Sequence, residues 1–387
     1  MTTSTVVFTS KKSSEEAGRE LATQALKALN GQLPSVFILF ASSAYNYEVL
    51  LQSINRNCTP EILIGCSSAG EFTSADFETD SASAVVIYST DMVFSAGVGT
   101  GIKSSRSQVV QELLSPLKGL NKFDYPFQSG LVLADALSGH TDEIIDMLTE
   151  KTGTYQFFGG GAGDNANFQK THVFLGEEAL SDAAVILEIL SKKPLGLGVK
   201  HGWKPVGEKM RVTASEGMRI ISLNGAPAAE VFKEYADATG QSLDFNDPIP
   251  FFLHNLLGIE TEQGFKLRVP LASQQDGSIA CASDIPVGSI ISFMAIEPEA
   301  AKHAAEQATA MAIDSLKGSK PSVALFFDCV ATRLRMGNQF IHELEQVKSI
   351  LGDTNYAGCN TYGQIARVNG QFSGFHNCTA VVCVIPE

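Results

Sequence analysis

Three short runs, SVFILFAS (Ser35–Ser42), EILIGCSSAGEF (Glu61–Phe72) and ASAVVIY (Ala82–Tyr88), decide how the chain is to be read. The first is an unbroken apolar run of strand length, the signature of a strand covered on both faces. A helix-like stretch separates it from the second run. The second ends in small residues, turns at Gly70 and meets Glu71. Near the C-terminus the same order returns as SVALFFDC (Ser322–Cys329), the helical NQFIHELEQVKSIL, NYAGCNTYGQIA (Asn355–Ala366) and CTAVVCVI (Cys378–Ile385). A third copy lies between them: SGLVLADAL (Ser129–Leu137), HTDEIIDMLTEKTG, YQFFGGGAGDN (Tyr155–Asn165) and DAAVILEIL. The fold class that follows is α/β (α+β), with repeated strand–helix–strand–Gly turn–strand units.

In each copy a polar group follows the turn glycine: Gly70-Glu71, Gly163-Asp164 and Gly363-Gln364. Glycine there permits positive φ and close approach to the main chain. Such strand ends are where α/β sheets commonly hold ligands, so three equivalent turns predict a shared cleft. The stretch from Pro194 to Pro298 breaks the pattern. Short strand-like runs separated by Gly, Pro and Asp predict a β-rich insert, with a turn at Asn224-Gly225, a helix from Pro227 and a module boundary near residue 205.

Basic residues number 28 against 42 acidic, a net charge of −14, and no basic cluster offsets the excess. Nucleic acid and anionic membrane surfaces are therefore disfavoured as partners. No apolar run reaches the ~18–20 residues of a membrane span, and the N-terminal residues lack the basic and long apolar segments of a signal peptide. Seven scattered cysteines without a C-x-x-C pair fit a reducing cytoplasm.

Catalytic motifs fail on spacing. GCSSAG sets Gly65, Ser67 and Gly70 at G-x-S-x-x-G, one residue longer than a nucleophile elbow. GVGTGIKSS has no Gly before Lys103, and FGGGAGDN lacks dinucleotide-binding spacing. No complete catalytic motif is present. Cys66 and Cys359 fall in equivalent turn segments without a basic neighbour, whereas Arg333 and Arg335 follow Cys329. The seven histidines form no H-x-H, H-E-x-x-H or zinc arrangement. A single axial haem ligand needs only one histidine beside an apolar pocket, and His201, His254 and His376 have such surroundings.

Taken in order, GCSSAGEF, LADALSG with FFGGGAGDN, HGWKPVG with LNGAPAAEVF, and FDCVATR with GCNTYGQIA and FHNCT resemble the successive signatures of FIST proteins. The resemblance covers nearly the whole chain and implies an N-terminal FIST domain over 1–205 and a C-terminal one over 206–387. It implies a cytosolic small-ligand sensor in signal transduction. One branch of the family binds haem, senses nitric oxide and regulates a histidine kinase or a cyclic-di-GMP enzyme, which makes haem the expected cofactor and such an enzyme the expected partner. The candidate ligand-binding residues are Cys66, Ser67, Glu71, Gly161, Asp164, Asn165, Cys329, Arg333, Asn360, Thr361 and Gln364. His201 is the first candidate haem ligand, followed by His254 and His376. One departure falls at Cys329, where family members often carry Cys-x-x-Arg-Arg: Thr332 replaces the first arginine and Arg333 retains the second. The alternatives are a sensor of an amino acid or other small metabolite, and an enzyme using Cys66, Cys359 or Ser67.

Overall fold

A computed structural model describes residues 1–121, 124–262, 264–368 and 371–387. The architecture is α/β, with three mixed six-stranded sheets built to one plan and an eight-stranded fourth sheet. In the first unit Val36–Ser42 and Ile62–Ser68 pair in parallel, linked by the crossover helix Tyr47–Cys58. Asn46 caps that helix by accepting from the Val49 N–H at 3.1 Å, and Thr59, at φ 43°, ends it. Ala82–Ser89 returns antiparallel beside Val36–Ser42, and Thr2–Thr9 lies outside it.

The second unit repeats this with Phe127–Ala134, helix Thr141–Thr152, Gln156–Gly161, Ala183–Ser191 and outer strand Val93–Thr100. The third uses Pro321–Cys329, helix Phe340–Leu351, Tyr356–Thr361, Ala380–Pro386 and outer strand Gly196–Lys200. The β-rich insert runs from Lys204 to Ala295, between that outer strand and the helix Pro298–Ser315. GLGVK, read from sequence as part of the insert, instead completes the third unit by pairing with Ala380–Pro386. A Gly-punctuated apolar run has the same appearance in either sheet, so only the partner strand separates the two assignments.

The unbroken apolar strands reflect burial on both faces. In the first unit Val36, Ile38 and Phe40 point to a core shared with Leu131, Leu133, Leu325 and Phe327 of the other units. Phe37, Leu39 and Ala41, on the opposite face, pack with Leu50, Leu51 and Ile54 of the crossover helix. Phe40 and Phe327 meet edge-on at 5.5 Å where the first and third sheets face each other. Inside the insert, Asn224 and Gly225 turn at φ 49° and 87°, and helix Ala228–Ala238 packs Phe232 edge-on to Phe252 and Phe293.

After each glycine turn the chain leaves its own sheet. Glu71–Thr73 pairs with the third unit's Tyr356–Thr361, Gln364–Val368 with the second unit's Gln156–Gly161, and Val173–Leu175 with the first unit's Ile62–Ser68. The exchange runs first to third, third to second and second to first, so it closes on itself.

Candidate functional site

The three turns meet through their backbones. Ala69 N–H donates to the Asn360 carbonyl at 2.9 Å, and Asn360 N–H returns a bond to Gly70 at 2.8 Å. Tyr362 N–H donates to Gly161 at 2.9 Å, while Gly161 N–H donates to Gly363 at 2.8 Å. Gly163 and Asn165 donate to Ser67 and Ser68 at 2.9 and 3.2 Å. The expected cleft is thus a closed knot at this level: Cys66, Ser67, Glu71, Asp164, Asn360, Thr361 and Gln364 are all buried. Exposed main chain at a turn offers hydrogen bonds to a ligand, but here the turns satisfy one another.

Side chains complete the knot in unit-specific ways. Glu71 accepts from Ser68 Oγ and, at 3.0 Å, from Ser81 Oγ. Burial pushes its pKa up to about 7 against the pull of those hydroxyls and of Arg333. At the equivalent place Gln364 donates to Thr361 Oγ1 at 2.8 Å and accepts from Thr379 N–H at 3.2 Å. Asp164 accepts from the Phe168, Gln169 and Lys170 N–H groups at 2.7–2.9 Å and from the Tyr362 hydroxyl, so its oxygens are committed to folding its own loop. Asn165 donates to Ser42 Oγ at 3.0 Å. Arg333 donates to the Ala69 carbonyl, and its Nη1 lies 2.1 Å from where a Cβ on Gly70 would sit. Asp328, beside Cys329, faces Glu343 in the interior. Burial and the adjacent Asp328 carboxylate push the Glu343 pKa well above its ordinary value.

Beside the knot, a mainly apolar pocket of about 100 Å³ opens where three parts of the chain converge. The second unit supplies Ala136, Leu137 and Phe168, and the third supplies Cys329, Val330, Ala331, Tyr362 and Asn377. The insert closes the pocket with Met218, Val269, Leu271, Cys281 and Ala282. Phe168 stacks on Tyr362 with ring centroids 4.4 Å apart. Asn377 is 1% exposed; its Oδ1 accepts from Ser283 Oγ at 3.2 Å, but its Nδ2 has no partner among the described residues. Of the sequence-derived candidates, Cys329 alone lines this pocket. Asn377 escapes sequence reasoning because an asparagine beside a predicted haem histidine carries no periodic signal, and the insert residues escape it because they read as ordinary strand positions.

The insert is tied down by charge. Asp142, at the start of the second unit's crossover helix, pairs with Arg268 and, at 3.1 Å, with Lys266; both cations belong to the insert. It also accepts from the third unit's Phe375 N–H at 2.8 Å. Burial raises the Asp142 pKa, but Arg268 and Lys266 outweigh it and hold the carboxyl below its ordinary range.

The three candidate haem histidines lie away from this pocket. His201 Nε2 lies 3.1 Å from the Phe265 carbonyl oxygen, and burial lowers its pKa. His376 is buried, which pushes its pKa down to about 3, and His254 is exposed. None of the three lines the pocket. Among the described residues no cluster of three or more His, Cys, Asp or Glu side chains could hold a metal ion, and no helix is long and apolar enough to cross a membrane.

Three α/β units with an inserted β module and a pocket at their junction define the framework, and family comparison places it. The chain matches the FIST N domain over residues 35–226 and the FIST C domain over 228–367, and it belongs to the FIST family, whose domains serve small-ligand sensing in signal transduction. An uncharacterized protein of Mycobacterium tuberculosis is 24% identical over 382 residues, covering 96% of both chains. A Mycobacterium bovis protein is 23% identical with the same coverage. One from Methanocaldococcus jannaschii is 24% identical over 281 residues, which is 68% of this chain and 54% of that protein.

Proposed function

We propose that this protein senses a small, mostly apolar molecule bound in the pocket between the second unit, the third unit and the insert. The observation that carries this reading is Asn377: a buried Nδ2 donor without a partner among the described residues, on the wall of an apolar cavity shared by three structural parts. Such a donor is costly unless something supplies an acceptor, which selects a compact ligand bearing a carbonyl or carboxylate oxygen. Amino acids and other small metabolites of that description are the ligand class. Binding favours the arrangement in which the insert sits closed on the units, and a signalling partner reads the difference. That partner is a histidine kinase or a cyclic-di-GMP enzyme in this reading, which follows the family resemblance and not a surface of the molecule.

A thermal-shift screen of amino acids and small carboxylic metabolites tests the proposal. A true ligand at 100 times its Kd stabilises the protein by about 2.7 kcal/mol. Ala282→Leu, which fills the pocket, and Asn377→Leu, which removes the donor, should each abolish that shift. A stabilising ligand that both variants still bind as tightly as wild type would refute the assignment. Haem stands outside this reading because no candidate histidine faces the pocket. A Soret band in haem-supplemented protein, shifted by nitric oxide and lost in His201→Ala, would replace it.

A further inference from the structure

The repeat allows a comparison of equivalent positions that no single unit permits. Ser42, Asp135 and Cys329 each immediately follow or end the first inner strand of their unit. Facing them, just ahead of the returning strand, stand Asp80, Asp182 and Cys378, all in left-handed backbone at φ 54°, 52° and 48°. In the first unit the two side chains are bridged, because Asn165 Nδ2 donates to Ser42 Oγ at 3.0 Å and to Asp80 Oδ1 at 3.4 Å. In the second, Asp182 N–H donates to Asp135 Oδ2 at 2.7 Å. The scaffold brings this pair of positions together three times, and in the third unit both are cysteine, one ending a strand and the other just ahead of the strand paired with it, in one apolar cluster.

We propose that Cys329 and Cys378 form a reversible dithiol–disulfide site, oxidised by a hydroperoxide that reaches Cys329 through the pocket between the units and the insert. Both residues are buried, at 2% and 6% exposure, so the pocket wall formed by Cys329 is the route of attack. The neighbouring Cys378 thiol holds the Cys329 pKa below the ordinary thiol value, while the pKa of Cys378 is raised. Cys329 is therefore the attacking sulfur. Its thiolate takes one peroxide oxygen as the O–O bond breaks, giving a sulfenic acid and one water. Cys378 then attacks that sulfur, the S–O bond breaks, and the oxygen leaves as a second water. Two thiols lose two electrons and two protons, and one hydrogen peroxide becomes two waters. Both cysteines belong to the cluster in which Trp203, Leu267, Val269 and Met294 of the insert region pack on the third unit, so the bond would form where the insert is seated.

Cys66 and Cys359 provide an internal control. They also share one cluster, but they are fully buried in the central core and line no part of this pocket. The full chain, treated with graded hydrogen peroxide, quenched by alkylation in denaturant and mapped without reduction, should lose two of its seven thiols. It should yield a cross-linked pair of peptides containing residues 329 and 378, which dithiothreitol reverses. Cys378→Ser should stop at a dimedone-reactive sulfenic acid on Cys329. Failure to form the 329–378 link at peroxide levels that already oxidise methionine would overturn the proposal, as would a 66–359 link formed equally fast. The wild-type map decides the question even where a serine variant does not fold. It is also independent of which ligand the pocket takes.

Discussion

The knot of turns and the seat of the insert are neighbours held by different physics. The knot is closed by backbone hydrogen bonds of 2.8–3.2 Å among three glycine turns, with buried side chains filling the gaps. The insert is seated by one carboxylate, Asp142, facing two cations, and by an apolar cluster around Trp203 and Val269. Backbone bonds fix geometry whatever the side chains, and a buried ion pair depends on one or two of them. The difference teaches that the frame rests on the pairing of main chains, whereas the seat of the insert rests on a few side chains.

Substitutions at the turn glycines test the frame most severely. Gly363 sits at φ 124°, and a Cβ there would lie 2.2 Å from the ring of buried Phe375. Gly363→Ala should cost about 4 kcal/mol through strain and overpacking. A midpoint in urea close to wild type would show that the knot tolerates movement. Breaking the seat comes next. Asp142→Ala leaves Arg268, 1% exposed, without its carboxylate, at a cost of about 3 kcal/mol. Hydrogen exchange should rise in Gly264–Arg268 and Thr141–Thr152 and stay unchanged in Ile62–Ser68 and Tyr356–Thr361. Equal loss of protection everywhere would mean that frame and insert unfold as one.

Glu71 and Gln364 sharpen the comparison within the frame. The Glu71 pKa is raised from 4.5 to about 7, so the folded state binds its proton more tightly than the unfolded state. Its stabilising contribution is complete below about pH 4.5 and is lost as pH rises through about 7, an overall change of about 3 kcal/mol. Glu71→Gln, which copies the third unit's own choice, should remove that slope in denaturation curves measured from pH 5 to 8. Gly70→Ala should cost about 2 kcal/mol, less than its counterpart, because the atom in the way is the end of the long Arg333 side chain. Smallest of all, Arg219→Ala removes exposed pairs with Asp276 and Glu216 on the insert and should leave the urea midpoint close to that of wild type.

The repeat was legible in the sequence because burial on both sheet faces leaves unbroken apolar strands, and because turns with φ beyond 120° select glycine at Gly70 and Gly363. The turn at Asn224-Gly225 and the helix after Pro227 were legible for the same local reasons. The destination of the strands after the turns was not. Glu71–Thr73 and Gln364–Val368 would read the same whether they paired at home or in the next unit, since pairing partners leave no mark on periodicity. The pocket was hidden more deeply still. It is assembled from Ala136, Cys329, Asn377 and the insert's Val269 and Ala282, none of which shares a motif with the others. Histidine, by contrast, drew attention through its chemistry alone, while Asn377, one residue beyond His376, lines the pocket and carries a buried donor without a partner among the described residues.

The cyclic exchange of strands also governs how the chain must acquire its structure. The first unit's sheet is finished only when Val173–Leu175 arrives, and the strand Glu71–Thr73 lacks its place in the third sheet until Tyr356–Thr361 has been made. The third unit's outer strand, Gly196–Lys200, waits while the whole insert is synthesised before Ala380–Pro386 can join it. Contacts this distant in sequence place loop closure ahead of their reward, so folding should be slow and late, and a growing chain would carry unpaired edges almost to its final residues.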